Sequence, residues 1–444
     1  MSADVRPIKT AAETSLAEAF AAVKTRLPGK GAVALRREEA FSRFEKQGLP
    51  HRRVEEWKYT DLRALMRDAK PLAQSPDAGS KQRAKIAGAL VADVDARRIV
   101  FAEGSFVPEL SDLTGLEDGL SITSLAQALA QGDADLMVQL GASGPAEGDV
   151  AAALNTAFMG DGAVIRVADG AAIARPIHLV FSHGGDNATI AFTRSLVVVG
   201  EGAQVTLIES HEGPDNLDYQ VNTALDFFVG DRARVEHVKV GGDGSSALHI
   251  ATLAATIGAN VAFSDFTFTL GGEVTRNQLF VRCAGEGSTV GLRGANLLRS
   301  HQHSDTTLVL DHAVPGCNSR EVFKSVLDDE SRGVFQGKII VRAGAQKSDA
   351  RMMTNALLLS DAAEADNKPE LEIFADDVQC GHGATAGALD ENLKFYLMAR
   401  GIPESEAESL LIQAFVGEAV EAVSHEGVKD ALMAAVVRWL AERE

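Results

Sequence analysis

From about Gly162 the chain is punctuated by glycines at a nearly constant interval. Val-Ala-Asp precedes Gly170, Val-Val-Val precedes Gly200, Phe-Phe-Val precedes Gly230, Thr-Ile precedes Gly258 and Arg-Cys-Ala precedes Gly285. By subtraction the intervals are 30, 30, 28 and 27 residues. Most of the glycines close an apolar, β-branched run and are followed by a second short run, as in GAQVTLIES and RARVEHVKV. A period in this range marks a repeat architecture. The runs lie too close together for helical crossovers, so an ordinary parallel sheet does not fit. A β-solenoid does, because each turn stacks on the next and buries an inward stripe. A β-sandwich with regular turn spacing is the competing reading. The expected class is mainly β, with a right-handed parallel β-helix core flanked by N-terminal and C-terminal helical segments.

The flanks read differently. Residues 1–95 form a helical region with patterns such as TSLAEAFAAVKTRL and ALRREEAFSRFEKQG. In the second pattern Ala40, Phe41, Phe44 and Leu49 supply an apolar stripe, and Gly48 is a plausible stop. HRRVEEWKYTDLRALM follows, mixing charge with Trp57 and Tyr59. Residues 96–385 are strand-rich and clearly periodic from about 160; RRIVFAEGSFVP at their start reads as a hairpin. Residues 386–444 are helical again. ENLKFYLMARG ends on Gly401, Pro403 suits the first turn of the next helix, and Ala407, Leu410, Leu411, Ala414, Phe415, Ala419 and Val423 recur at helical spacing. Val428, Leu432, Val436 and Leu440 do the same in the last helix. Such helices either cap the open end of a solenoid or dock a partner.

Composition narrows the function. The 444 residues are 45% hydrophobic and 24% charged, enough for a sizeable core. A formal net charge of −19 disfavours nucleic acid and anionic membranes as partners. Cys283, Cys317 and Cys380 are scattered and odd in number, which argues against a disulfide framework. The N-terminus lacks a basic head with an apolar run, and no stretch approaches the about 18 apolar residues of a membrane span. The expected compartment is the cytoplasm. There is no Walker A loop; Gly333-Val-Phe-Gln-Gly337-Lys338 has the wrong spacing and no hydroxyl residue after the lysine. Any use of ATP therefore falls to another chain.

Two places carry candidate metal ligands. His301, His303 and His312 cluster in SHQHSDTTLVLDHAVPGCNS, with Cys317 just beyond. On one strand His301 and His303 would share a face and could share a metal, as in a β-helix enzyme; hydrogen-bonded sheet histidines are the alternative. In DDVQCGHGATAG, Cys380 and His382 likewise share a face if the strand stays extended. Thiolate and imidazole suit iron or zinc, but two ligands are too few. The others come from His312 or Cys317, from a partner chain, or not at all.

The long segment from SREVFKSVLDDESRGVFQGKIIVRAGAQKSDARMMTNALLL to ELEIFADDVQCGHGATAGALDENLKFYLMARGI resembles the core of the SufB/SufD iron–sulfur cluster assembly proteins. HRRVEEWKYTDL, FVPELSDL and NTAFMGDGA are similar to N-terminal pieces of the SufD branch. SufB members carry Glu-His-Glu-Ala-Thr where this chain has Gly381-His382-Gly383-Ala384-Thr385, and a cysteine before a proline where it has Ala363-Glu364-Ala365-Asp366. They also have a cysteine-rich N-terminal segment that has no counterpart here. The resemblance implies a non-enzymatic scaffold subunit that pairs with a SufB-like paralogue and binds a SufC-like ATPase through its C-terminal helices. Leu410, Leu411 and Phe415 are the residues expected at that contact. It further implies that a transient iron–sulfur cluster forms at the paralogue interface, with His382 as a ligand and Cys380 as a weaker candidate. No tightly bound cofactor is expected on the isolated chain, and a homodimer is an expected alternative assembly. Two rival expectations remain: a metal-dependent enzyme using His301 and His303, and a purely structural partner.

Overall fold

The computed structural model describes residues 9–132, 134–142, 144 and 148–443. The expectation of no leader peptide falls partly on residues 1–8, outside this set. The strands are β1 (Arg97–Ala102), β2 (Ser105–Phe106), β3 (Leu120–Ser124), β4 (Ala163–Val167), β5 (Ile177–Ser182), β6 (Ile190–Val199), β7 (Gln204–Glu212), β8 (Gln220–Val229), β9 (Arg234–Gly242) and β10 (Leu248–Ile257). They continue as β11 (Ala262–Thr269), β12 (Val274–Cys283), β13 (Thr289–Leu298), β14 (His303–His312), β15 (Asn318–Leu327), β16 (Arg332–Val341), β17 (Asp349–Leu358), β18 (Glu364–Ile373) and β19 (Gln379–Gly387). From β4 onward the even strands stack in one parallel sheet and the odd strands in the other. This is a β-solenoid, not a sandwich, of about eight turns. β1 and β2 pair antiparallel, as RRIVFAEGSFVP suggested.

The periodic glycines have a steric cause. A Cβ on Gly230 would lie 2.8 Å from the Glu201 backbone nitrogen, and one on Gly285 would lie 2.0 Å from that of Ala259. The turn below leaves no room for a side chain. Two residues after Gly200, Gly230, Gly258 and Gly285, the backbone adopts positive φ at Gly202, Arg232, Asn260 and Gly287, between 55° and 72°. The same corner thus repeats in each turn, with or without glycine at its second position.

Inside the turns, alternate residues form one continuous core: Leu207, Leu225, Phe227, Leu253, Leu279, Leu292, Leu308, Phe323, Phe335 and Ile339 are all buried. Each such side chain contributes about 1.5–3 kcal/mol by leaving water. The outer faces are covered by helices. Helices Ala11–Val23, Ala32–Gln47 and Val150–Phe158 bury Phe20, Phe41, Phe44 and Phe158 against Ile190, Phe192 and Ile250 of the even sheet. Helices Glu404–Val420 and Glu426–Ala441 cover the odd sheet with Ile412, Val416, Val436 and Trp439. They lie along the flank of the stack, packed on Ala295, Leu297 and Val326. Val428, Leu432, Val436 and Leu440 are buried as expected, as are Ala407, Ala419 and Val423, but Ile412, Val416 and Val420 also point inward while Leu410 and Ala414 are exposed. Pro403 sits at the N-cap, one position earlier than expected. No helix among the described residues is long and apolar enough to cross a membrane.

The segment around Trp57 straps the N-terminal region to the solenoid. Trp57 is buried under the Arg276 guanidinium, 3.9 Å from its ring. Arg276 pairs with Asp305 on the neighbouring strand and donates to the Glu56 carbonyl at 2.7 Å. Thr60 Oγ1 donates to Asp305 at 2.5 Å. Removing one partner of such a buried pair leaves an uncompensated charge. Asp305→Ala is therefore expected to lose about 3–5 kcal/mol of unfolding free energy, read from urea denaturation.

One side of the first turns is polar. His237 Nδ1 lies 2.6 Å from Asp265, His249 Nδ1 lies 2.7 Å from Asp243, and Glu209 sits between His211 and His237. Burial lowers His183 to about 3 and His249 to about 4, the latter despite Asp243. Burial also opposes charge on His237, but hydrogen bonds with Asp265 and Glu209 outweigh it and raise the imidazole to about 9. Stability from His183 and His249 is complete above the unfolded histidine value of about 6.5 and falls as pH drops toward 4 and 3. Stability from His237 is complete below about 6.5 and is lost as pH rises through 9. The combined contribution of these histidines is thus largest near pH about 6.5, and His237→Gln should flatten the alkaline limb of the thermal-midpoint profile.

Candidate functional site

The solenoid ends in open edges, β18 in one sheet and β19 in the other. β19 carries the Cys380–His382 pair. Cys380 stands in register with Ala350 of β17, and His382 with Met352. Ala350 and Met352 are both core residues, so the pair continues an inward-facing row out to the open mouth. Cys380 is half-buried and packs against the core, whereas His382 is exposed. Burial raises the Cys380 thiol above its ordinary value, and the nearby Asp349 carboxylate adds to this. A free thiol here therefore stays protonated until something stabilises the thiolate.

Gly383 has a packing reason. A Cβ on it would meet the Met353 Cε at 2.7 Å, so the missing side chain lets Met353 lie across β19. Ile373 and Phe374 form an exposed apolar rim at the end of β18, Phe374 at 61%, and Met353 is exposed on the outer face of β17. One rung below Met352 stands Glu321, fully buried, with neither carboxyl oxygen hydrogen-bonded. Burial raises its carboxyl to about 8. Sequence reasoning missed both Glu321 and the rim. The alternation in SREVF could have shown Glu321 facing inward with Phe323; nothing local marks the rim, because its exposure depends on where the stack stops.

The other expected ligands do not join this pair. His301 lies in the turn before β14, is 78% exposed at its side chain and faces Glu330 at 3.4 Å. His303 opens the strand and is bonded through Nε2 to Thr60 Oγ1 at 2.9 Å. The two do not share a strand face, because the strand starts only at His303; this corrects the expectation of a shared metal. His312 is buried with Nε2 3.1 Å from Ser319 Oγ. Cys317 is buried next to Cys283, whose hydrogen bond helps lower the Cys317 thiol to about 7. Neither completes a ligand set with Cys380 and His382. Among the described residues no group of three or more His, Cys, Asp or Glu side chains is arranged to hold a metal ion.

The expected docking helices form a second surface. Helix Glu391–Met398 leaves Leu393, Phe395, Tyr396 and Met398 exposed, and Leu410 of the next helix is exposed as well. A groove of about 400 Å³ beside them is lined by Leu389, Leu393, Leu411, Ala414 and Phe415. Leu411 and Phe415 are half-buried. Lys324 Nζ sits 4.4 Å from the Phe415 ring and pairs with Glu418, which fixes the groove wall to β15. Sequence reasoning did not single out Leu393, Phe395 or Tyr396, although ENLKFYLM shows them as an apolar cluster on one short helix.

Comparison with known proteins bears on both surfaces. Residues 181–415 match the family described as SUF system FeS cluster assembly, SufBD core domain, and residues 12–179 match the SufBD protein N-terminal region. The chain is 31% identical to the iron-sulfur cluster assembly protein SufD of Escherichia coli K12, over 88% of this chain and 89% of the relative. It is 33% identical to the SufBD family protein slr0076 of Synechocystis, over 84% of each. Identity to the SufD of Bacillus subtilis is 27%, over 64% of this chain and 66% of the relative. A β-solenoid with helical flanks, matched along nearly its whole length in this way, belongs to the SufBD family of iron–sulfur cluster assembly proteins.

Proposed function

We propose that this chain is the SufD-type scaffold subunit of an iron–sulfur assembly complex. It pairs through β18, β19 and the apolar rim with a SufB-like paralogue, binds a SufC-like ATPase through its C-terminal helices, and offers His382 to a nascent cluster. The cluster is cargo, not a resident group of this chain. The observation that carries the reading is the incomplete ligand pair at an open solenoid edge. Two unpaired strand edges beside an apolar rim make a ready surface for another chain. One exposed imidazole next to one half-buried thiol is half of a coordination sphere, and cluster iron takes thiolate or imidazole. A partner that docks at this edge would add the rest.

Roles divide by burial. His382 is exposed, so its nitrogens can reach a bridging cluster without moving the backbone. Cys380 is partly buried and its thiol is disfavoured as thiolate, which makes it the weaker ligand until a metal displaces the proton. The chain does not hydrolyse ATP in this reading, since its sequence has no phosphate-binding loop.

A second reading makes the chain a structural support for its paralogue only. The two separate cleanly. His382→Ala should leave the three-component complex intact by size-exclusion chromatography while reducing anaerobic cluster formation at least tenfold. Unchanged cluster formation with an intact complex would favour the structural reading. Leu393→Asp with Leu410→Asp should weaken co-purification of the ATPase at least tenfold, which is about 1.4 kcal/mol, and leave pairing with the paralogue unchanged. Retention of the ATPase at full strength would remove this surface from the assignment.

A further inference from the structure

The outer face of the odd sheet holds a groove of about 490 Å³ beside the loop that joins the last two helices. It is separate from the open mouth and from the apolar helix groove. Arg234 of β9, Arg293 of β13 and Arg320 of β15 enter it, with Ser264 of β11 between the first two. Glu236, Ser264, Gly291 and Arg320 form one row across four strands. Arg293 starts two residues further along β13, but its side chain folds back over Gly291. A Cβ on Gly291 would meet Arg293 Nη1 at 2.6 Å, so the glycine serves as a berth for the guanidinium. With strands about 4.8 Å apart, Arg293 and Arg320 then present cationic groups on adjacent rungs.

The charges in the groove are unevenly balanced. Arg320 is anchored to the Asp349 carboxylate at 3.0 Å and to the Ser319 and Asp349 carbonyls at 2.6 and 3.1 Å. Glu236 accepts from the Ser424 backbone N–H at 2.6 Å, which turns it toward the helical loop. Among the described residues, Arg293 and Arg234 make no hydrogen bond or ion pair. Arg293 is half-buried, and burial works against its charge. Two like charges side by side on a sheet, one of them partly desolvated and faced only by the buried Glu321 carboxyl on the other side of the sheet, destabilise each other. Among the described residues, apart from Glu236 and Asp349, no acidic side chain lines or anchors the groove, although the chain as a whole carries −19.

We propose that this groove binds a small, multiply charged oxyanion, a phosphate ester or a polycarboxylate, held by Arg293 and Arg320 with Arg234 at the rim. A guanidinium presents parallel donors that match two oxygens of a phosphate or carboxylate. Anchoring by Asp349 pre-orients the Arg320 fork, and the berth at Gly291 pre-orients that of Arg293. The groove has the volume of a small-ligand site. The inference does not depend on the assembly role proposed above.

The test is isothermal titration of the full chain at fixed ionic strength with sodium pyrophosphate and, separately, with citrate. Saturable one-to-one binding of either is expected, and the tighter of the two identifies the source as phosphate or carboxylate. Arg293→Met should weaken that binding at least tenfold. Arg293→Lys, which keeps the charge and loses the fork, should fall between and serves as the second variant if the first does not fold. Arg232→Met, at an exposed arginine paired with Glu201 outside the groove, should bind as the wild type does. Absence of binding for both probes, or binding that Arg293→Met leaves unchanged in a folded protein, would overturn the proposal.

Discussion

Everything in this molecule depends on how closely one turn of the solenoid can lie on the next. Backbone ladders from Gly200 to Val167, Gly230 to Val199 and Gly258 to Val229 run at 2.8 Å, and the corner glycines are there because a Cβ would strike the turn below. That spacing stacks Leu225, Leu253, Leu279 and Leu308 into one unbroken apolar column. A stack of this kind has no reason to stop except that the chain stops supplying turns. It must therefore end in open edges, and it is at that end that Cys380 and His382 lie.

The same geometry explains why polar groups appear inside. A solenoid turn is narrow, so inward positions meet neighbours from both sheets. Where those neighbours are apolar, the core is dry. Where Glu209, His237 and Asp265 follow one another on successive rungs, each charge finds an opposite partner within the stack. Glu321 has no hydrogen-bond partner there, and burial raises its carboxyl above the usual range. Arg276 finds Asp305 on the next rung, and that pair holds the N-terminal strap with Trp57 beneath it. His303, which reads as a metal ligand in isolation, is part of this strap contact.

The helical flanks show the limit of pattern reading. A three-to-four spacing identifies Glu404–Val420 as a helix but does not say which stripe turns inward. Ile412, Val416 and Val420 win the core side because they face Ala295, Leu297 and Val326 of the odd sheet. Leu410 is left exposed, as are Leu393 and Phe395, on surface that no local pattern delimits.

The sequence by itself determined the repeat, since periodic glycines and β-branched runs leave few foldable alternatives to a solenoid. It also determined the motif around His382, because a long ordered match to one family survives without any structure. Only the tertiary structure decided which residues meet. It separated His301 from His303 at a strand boundary, brought Cys283 to Cys317, set Glu321 beneath Met352 and folded Arg293 over Gly291. The physical reason is the same in each case. Spacing along a chain fixes the face on which a residue stands, whereas its neighbours on other turns are set by the register of the stack, about 30 residues away.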